Sequence, residues 1–279
     1  MIDIPNDFDS LVRLFTELGV PTSNIAFYNH PSFMRAEADN ASVLELYAAF
    51  VRMRPRDADY DTHVKETVPI VTRKLAEEIQ SDGQLGACVD VAQMLNKILE
   101  ELGIWSYSVQ GSLTIMDPSL PNPTCFWMFD EKPVPGHVWV VAPPFDIIDV
   151  TLKAQPYGRH EADLLPLVLT SEGGKRIRPS SEEFFEPSLL AAAYRAVGGP
   201  RDTIHERTNP GMMSAINFFP SWQLEEGTTR LRYATGGISL SDAPDLPAIK
   251  NRTWNGRYAS AVLDDIIRPA LDAILTKRS

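Results

Sequence analysis

Three side chains that can together perform nucleophilic catalysis lie in one stretch of the chain: Cys88, His137 and Asp149. A thiol attacks a carbonyl carbon well at neutral pH only when its thiolate is stabilised, commonly by a helix N-terminus and a neighbouring imidazole. A carboxylate then holds that imidazole in the required orientation. The residue types and their order therefore predict a Cys-His-Asp triad that forms a covalent acyl-enzyme.

The segment around Cys88 predicts a helix that begins near the cysteine. Residues 81–86 are rich in turn formers, and an apolar stripe with helical spacing follows and stops at Gly103. The stripe consists of Val91, Leu95, Ile98, Leu99 and Leu102. Cys88 then lies in the first turn, where unpaired backbone N–H groups and the positive end of the helix dipole favour an anion. The same N–H groups are suited to hold the oxyanion that forms when the thiolate attacks a carbonyl.

His137 and Asp149 fall on a predicted β-hairpin. A β-prone run begins at His137, a turn with two prolines follows, and residues 145–150 predict the partner strand. The start of one strand lies beside the end of its antiparallel neighbour, so we expect His137 Nδ1 to donate to the Asp149 carboxylate. Asp146 is on the same strand, but side-chain alternation places it on the opposite face. Asp149 is therefore the preferred orienting carboxylate.

Two further side chains are candidates for binding the substrate. Gln84, shortly before Cys88, could donate a hydrogen bond to the oxyanion, or it could be an ordinary loop residue. Trp139 could form a wall of the acyl site or fill the core. The second cysteine, Cys125, lies on a short predicted strand, and we expect it to pack rather than to react.

The order of these motifs resembles the transglutaminase-like cysteine enzyme superfamily. The matching segments are Gly86-Ala87-Cys88, Leu102-Gly103-Ile104, Val109-Gln110-Gly111, His137-Val138-Trp139 and Asp149-Val150-Thr151. The resemblance covers residues 81–152 and implies that Cys88 is the nucleophile, His137 the base and Asp149 the orienting carboxylate. The superfamily includes peptidases, amidases, deamidases, crosslinking acyltransferases and amide synthases, so the resemblance leaves the acyl acceptor open. Arylamine N-acetyltransferases share the Cys, His, Asp order, but their arginine–glycine cluster before the cysteine is absent here.

Together with this resemblance, the sequence predicts an α+β fold with a papain-like or transglutaminase-like core. In that core the helix that carries the nucleophile packs on a small antiparallel β-sheet. Residues 81–155 are predicted to form the catalytic core, residues 1–80 an N-terminal helical region, and residues 156–279 a mostly helical extension packed on the core. Within the extension, a capping pattern at Ser180 predicts the start of one helix that runs through Val197, and a weak strand signal lies near residues 229–233.

Composition limits the partners and the compartment. The 279 residues, 44% of them hydrophobic, are enough to bury a large core. A formal net charge of −11 argues against nucleic acid or an anionic membrane as a partner. The chain has no apolar run of membrane length, and its first residues lack the basic start of a signal peptide. A nucleophilic Cys88 has to remain unpaired, which favours the cytoplasm. Neither cysteine belongs to a Cys-x-x-Cys motif, so no metal and no cofactor are expected.

The sequence thus predicts a cysteine-dependent acyl-transfer enzyme that acts on an amide or thioester of a peptide, a protein or a small molecule. Hydrolysis by a peptidase, amidase or deamidase is favoured, because water needs no second binding site. An amine acceptor would instead make the protein a crosslinking or amide-forming acyltransferase. The alternative from another class is a non-catalytic module that binds a peptide or protein on the same fold. A buried and inaccessible Cys88 thiol would favour that alternative.

Overall fold

A computed structural model describes residues 3–132, 135–158 and 160–275. The fold is of the α+β class, as predicted: about half of the described residues are helical, and the strand pairs are antiparallel. The α-helices are α1 (Phe8–Glu17), α2 (Pro31–Asp39), α3 (Val43–Met53), α4 (Ala58–Asp82), α5 (Cys88–Glu101), α6 (Ser181–Phe184), α7 (Pro187–Val197), α8 (Ile204–Thr208), α9 (Met213–Phe218), α10 (Ala259–Val262) and α11 (Arg268–Leu275). A π-helical turn, Leu263–Ile267, joins the last two.

The strands are β1 (Tyr107–Met116), β2 (Thr124–Phe126), β3 (His137–Ala142), β4 (Phe145–Asp149), β5 (Leu169–Ser171), β6 (Lys175–Ile177), β7 (Ser221–Glu226) and β8 (Thr229–Ser239). Short 3-10 helices lie at Phe27–Asn29, Leu152–Ala154, Glu161–Leu164, Arg201–Thr203, Pro210–Met212 and Leu246–Ala248. Within the described residues, none of the helices combines the length and the apolar character that crossing a membrane requires.

The chain forms two compact units, each built from segments that are distant in sequence. Unit 1 consists mainly of Val109–Val138 and Gly173–Ser239. Unit 2 consists of Pro5–Ser108, Trp139–Glu172 and the described part of Leu240–Ser279. Helix α5 and strand β4 therefore belong to unit 2, whereas the first residues of β3 belong to unit 1.

Unit 2 contains an aromatic core formed by its N-terminal helices. The rings that pack together are Phe15, Phe27, Phe33, Tyr47 and Phe50, with centroids between 4.9 Å and 6.3 Å apart. These rings occupy apolar positions of the amphipathic helices α1 to α3 and of the turn between α1 and α2. Burial of these apolar faces against one another stabilises the helices. Strand β4 of this unit pairs with β3 on one side and with β5 on the other, with Ile148 opposite Val140 and Thr170.

Unit 1 contains more sheet than the sequence predicted. Strands β1, β8, β7 and β6 are neighbours in that order, and β2 also pairs with β1. Along β8 the buried residues Thr229, Leu231 and Tyr233 alternate with two arginines, which is the pattern of a half-buried strand. The weak signal near residues 229–233 was therefore the start of a strand that continues to Ser239. The described part of residues 156–279, a region predicted to be mostly helical, contains four strands in addition to its helices.

The capping pattern at Ser180 is confirmed, but the helix that it starts is short. The backbone N–H of Ser180 donates to Glu183 Oε2 at 2.9 Å, and the reciprocal capping contact is also present. Helix α6 then ends at Phe184, and α7 begins with Pro187 as its first residue. Proline cannot continue a preceding helix but is well suited to start a new one, which explains the break.

Candidate active site

Cys88 is the first residue of α5, as the sequence predicted. Gly86, two residues earlier, has a φ of +71°, a conformation that residues with a side chain rarely adopt. The backbone N–H of Gly86 donates to the carbonyl oxygen of Ala154 at 2.9 Å. The start of the cysteine-bearing helix is therefore tied to the segment that follows Asp149. Cys88 itself is 4% exposed.

Helix α5 is fixed at its far end and along its length. Its last turn closes with a hydrogen bond from Ile104 N to Leu99 O at 2.8 Å, and Gly103 has a φ of +76°. Buried Asn96 donates to Ser108 Oγ at 2.6 Å and accepts from Ser106 Oγ at 2.9 Å. These contacts join the helix to the start of β1 and to the residue just before it. The direction of α5 is therefore set by buried polar contacts as well as by apolar packing.

The acidic residue in the first turn of α5 has its charge compensated. Asp90 Oδ1 accepts from Asn251 Nδ2 at 2.6 Å, and Asp90 Oδ2 lies 3.1 Å from Arg252 Nε. A second negative charge near a thiolate is unfavourable, and the guanidinium opposes that effect. Sequence reasoning missed Asn251 and Arg252, because they reach Asp90 from the far end of the chain and no local pattern connects them.

Asp149 ends β4 and is 1% exposed. Its Oδ1 accepts from the backbone N–H of Thr151 at 2.9 Å and from Thr151 Oγ1 at 3.1 Å. Two donors on one oxygen fix the plane of the carboxylate. Asp146 forms an ion pair with Arg52, with 2.6 Å between Oδ1 and Nη1. The two aspartates thus have different partners, and the choice of Asp149 over Asp146 as the orienting carboxylate stays a prediction.

His137 is the first residue of β3, as predicted, and its side chain is fully buried in unit 1. Its ring centroid lies 6.1 Å from that of Phe126 and 6.3 Å from that of Tyr233. Cys88 and Asp149 belong to unit 2. The pairing of His137 with these two side chains stays a prediction.

The backbone immediately before His137 leaves no room for a side chain. Gly136 has a φ of +82°, and a Cβ added there would lie 2.7 Å from the Gly111 carbonyl oxygen and 3.3 Å from Met128 Cα. We expect Gly136→Ala to lower the free energy of unfolding by about 3 kcal/mol, because it combines backbone strain with a backbone clash. Urea denaturation measures this loss.

Gly227→Ala is the matched control for that substitution. Gly227 has a φ of +61°, and nothing lies within 4 Å of an added Cβ. This variant retains the strain without the clash, and we expect a loss of about 1 kcal/mol. Equal losses in the two variants would show that the close approach of Gly111 to Gly136 does not restrict residue 136.

The other residues considered in the sequence are Gln84, Trp139 and Cys125, and each makes contacts that are typical of a structural residue. Gln84 Nε2 donates to the carbonyl oxygen of Thr253 at 3.1 Å, so this amide helps to hold the loop before α5. Trp139 is 2% exposed and lies within the core of unit 2. Cys125 is partly buried on β2, and burial raises the pKa of its thiol. A raised pKa disfavours the reactive thiolate, in agreement with the packing role expected for Cys125.

A cavity of about 280 Å³ in unit 2 lies beside the loop that leads to Cys88. Its lining residues are Ala76, Ile79, Gln80, Gly83, Gln84, Leu85, Val150, Lys153, Ala154, Ala162, Asp163 and Leu167. Val150 directly follows Asp149 in the chain. The cavity is thus bounded both by the entry to α5 and by the segment that follows Asp149.

Asp117 in unit 1 borders a second cavity, of about 260 Å³. Its carboxylate accepts from Ser119 N at 2.9 Å, Thr228 Oγ1 at 2.9 Å and Thr229 Oγ1 at 2.7 Å. The Ser119 hydroxyl also donates to Asp117 Oδ1, at 2.6 Å, and of all these donors it does most to lower the pKa of Asp117. Both carboxylate oxygens are therefore engaged in local structure. Across the described ranges, no three His, Cys, Asp or Glu side chains come together as a metal site.

Comparisons with known proteins give no match: no protein-family model fits the sequence, and no curated protein or solved structure is significantly similar.

Proposed function

We propose that the protein is a transglutaminase-like cysteine enzyme that transfers an acyl group from an amide or thioester by way of a thioester to Cys88. In this proposal His137 is the general base and acid, and Asp149 orients the imidazole. Hydrolysis is the favoured outcome, which makes the protein a peptidase, amidase or deamidase. The thiol has to remain reduced for this chemistry, so the proposal places the protein in the cytoplasm.

The hydrogen bond between Gly86 and Ala154 carries this proposal. It holds the start of α5, with its cysteine, against the segment that directly follows the Asp149-Val150-Thr151 motif. Both ends of this contact belong to unit 2. Cys88 and Asp149, which are far apart in sequence and suited to the same reaction, thus lie close to two segments that are joined by a hydrogen bond. Packing of the core alone does not require this contact.

The reaction proceeds in two halves. His137 takes the proton of the Cys88 thiol, and the thiolate attacks the carbonyl carbon of the substrate. The backbone N–H groups of the first turn of α5 stabilise the oxyanion. The carbon–nitrogen or carbon–sulfur bond then breaks, and His137 gives its proton to the leaving amine or thiol. In the second half His137 takes a proton from water, and the hydroxide oxygen attacks the thioester carbon. The carbon–sulfur bond to Cys88 then breaks, His137 returns the proton to the sulfur, and the carboxylic acid leaves.

One observation favours a second candidate function, a non-catalytic binding module. Cys88 is only 4% exposed, and a substrate carbonyl has to reach its sulfur for catalysis. A thiol that stays buried would be an ordinary packing residue at a helix start. The reactivity of the thiol distinguishes the two candidates.

We expect Cys88 to react with limiting iodoacetamide near neutral pH at least about tenfold faster than Cys125, because a catalytic thiol is held as its thiolate. Exposure alone predicts the opposite order, since Cys88 is buried and Cys125 is partly exposed. Intact-mass analysis followed by peptide mapping measures both rates in the folded protein. Faster labelling of Cys125 would contradict catalysis and support the binding module.

Two variants control the labelling experiment. His137→Ala is expected to slow the alkylation of Cys88 to the rate of Cys125 or below, because the imidazole no longer stabilises the thiolate. Cys88→Ala is expected to leave the rate at Cys125 unchanged, which shows that the fold around β2 is intact. An unchanged Cys88 rate in His137→Ala would remove the base role from His137.

A further inference from the structure

We propose that the cavity of unit 2 binds the acyl part of the substrate, and that this acyl part is a short aliphatic chain with a carboxylate at its far end. This inference rests on the proposed function, because it identifies the substrate class of the same site. It implies an amide or thioester of a short dicarboxylic acid as the substrate.

The cavity lies within reach of Cys88. Leu85 lines the cavity and is three residues before the cysteine, so their Cα atoms are at most about 11 Å apart. Leu85 is 58% exposed, and Val89, directly after Cys88, is 37% exposed. Exposed apolar side chains on both sides of a buried cysteine are suited to contact an aliphatic chain that enters the site.

The size and the lining of the cavity limit what it can hold. Its volume of about 280 Å³ is close to the lower end of the range for ligand pockets. Most of its lining residues are aliphatic: Ala76, Ile79, Leu85, Val150, Ala154, Ala162 and Leu167. A short alkyl chain fits this space and surface, whereas a bulky polar group would lose its hydration without new hydrogen bonds.

The charges on the wall select an anionic end group. Lys153 is half-buried, and among the described residues no carboxylate lies within ion-pair distance of its Nζ. Asp163 also lines the cavity but is exposed, so water screens its charge more strongly. Lys153 thus brings a positive charge to a mostly aliphatic wall. It is placed to bind the carboxylate of a ligand whose alkyl chain lies against the aliphatic wall.

Binding of hexanoate and of hexanamide tests this inference directly. The two probes share one alkyl chain and differ in charge, and calorimetric titration gives both affinities. We expect wild-type protein to bind hexanoate about tenfold more tightly than hexanamide, because a hydrogen-bonded ion pair with Lys153 is available only to the acid. Equal affinities for the two probes, or binding of neither, would overturn the inference.

Three variants locate the binding. Lys153→Gln is expected to reduce the affinity for hexanoate to that for hexanamide, whereas the control Lys250→Gln, at an exposed site, leaves the preference intact. Ala162→Phe places a ring in the cavity and is expected to weaken both probes by about tenfold or more. Circular dichroism confirms that each variant is folded. A preference that persists in Lys153→Gln, or binding unaffected in Ala162→Phe, would place the probes elsewhere.

Cys88→Ala separates this inference from the proposed function. We expect it to bind hexanoate as wild type does, because Cys88 does not line the cavity. Retained binding together with an unreactive Cys88 in wild type would leave the cavity as a ligand site and overturn the acyl transfer. A reactive Cys88 without a hexanoate preference would overturn only the substrate class.

Discussion

Cys88→Ala is expected to abolish acyl-enzyme formation with an activated ester such as p-nitrophenyl acetate. In the proposed mechanism the Cys88 thiolate attacks the ester carbonyl and releases p-nitrophenolate, leaving the acetyl group on Cys88. No other group in the proposed mechanism can form this bond, so we expect the enzyme-dependent rate to fall by at least about a thousandfold. Absorbance follows the p-nitrophenolate, and intact mass with peptide mapping locates the acetyl group.

Variants of the two partner residues test their separate roles. His137→Ala is expected to be nearly as severe as Cys88→Ala, since in the proposed mechanism both thiolate formation and proton delivery depend on the imidazole. Asp149→Asn is expected to lose less, because the carboxylate orients the imidazole without reacting itself. Adding Asp149→Asn to His137→Ala is then expected to reduce the rate little further, because the effects of residues that act as one catalytic unit do not add. If Cys88→Ala retained the full rate, the chemistry would lie elsewhere in the protein.

Lys97→Gln is expected to lower the free energy of unfolding by about 3 kcal/mol, because it leaves a buried carboxylate without its cation. The Lys97 side chain is 1% exposed, and its Nζ lies 2.8 Å from Glu100 Oε2 and 4.6 Å from the centre of the Tyr28 ring. The Tyr28 hydroxyl also donates to Glu100. Urea denaturation at neutral pH measures the loss.

The pH dependence of that loss identifies its cause. Burial raises the pKa of Glu100 in the folded protein, and Lys97 opposes the rise. Without Lys97 the folded pKa rises further, so the variant is most stable where Glu100 is protonated and loses stability as the pH increases through the folded pKa. We therefore expect a smaller loss at about pH 5 than at about pH 8.

Glu100→Gln combined with Lys97→Gln is the matched control. With no carboxylate to leave unpaired, the double variant is expected to recover about half of the loss and to lose its pH dependence over this range. A loss in Lys97→Gln that was independent of pH would mean that packing of the lysine stem, rather than the charge of Glu100, accounts for its contribution.

Local signals in the sequence were sufficient to predict the helix that carries Cys88 and the hairpin that carries His137 and Asp149. The turn-rich approach, the apolar stripe and Gly103 placed the limits of α5 correctly, because capping and helical periodicity act within a few residues. The same holds for β3 and β4, where β-prone runs are separated by a proline turn. The extent of β7 and β8 was underestimated, because strands acquire most of their stabilisation from partners that the local sequence does not reveal.

The sequence by itself determined which residues have the right chemistry and on which elements they lie: Cys88 at a helix start, His137 at a strand start and Asp149 at a strand end. Only the tertiary structure decided their surroundings. It brought Arg252 to Asp90, joined Gly86 to Ala154, and placed Lys153 at a mostly aliphatic cavity. The physical reason is that capping and periodicity depend on neighbours along the chain, whereas ion pairs and cavities depend on which distant segments pack together.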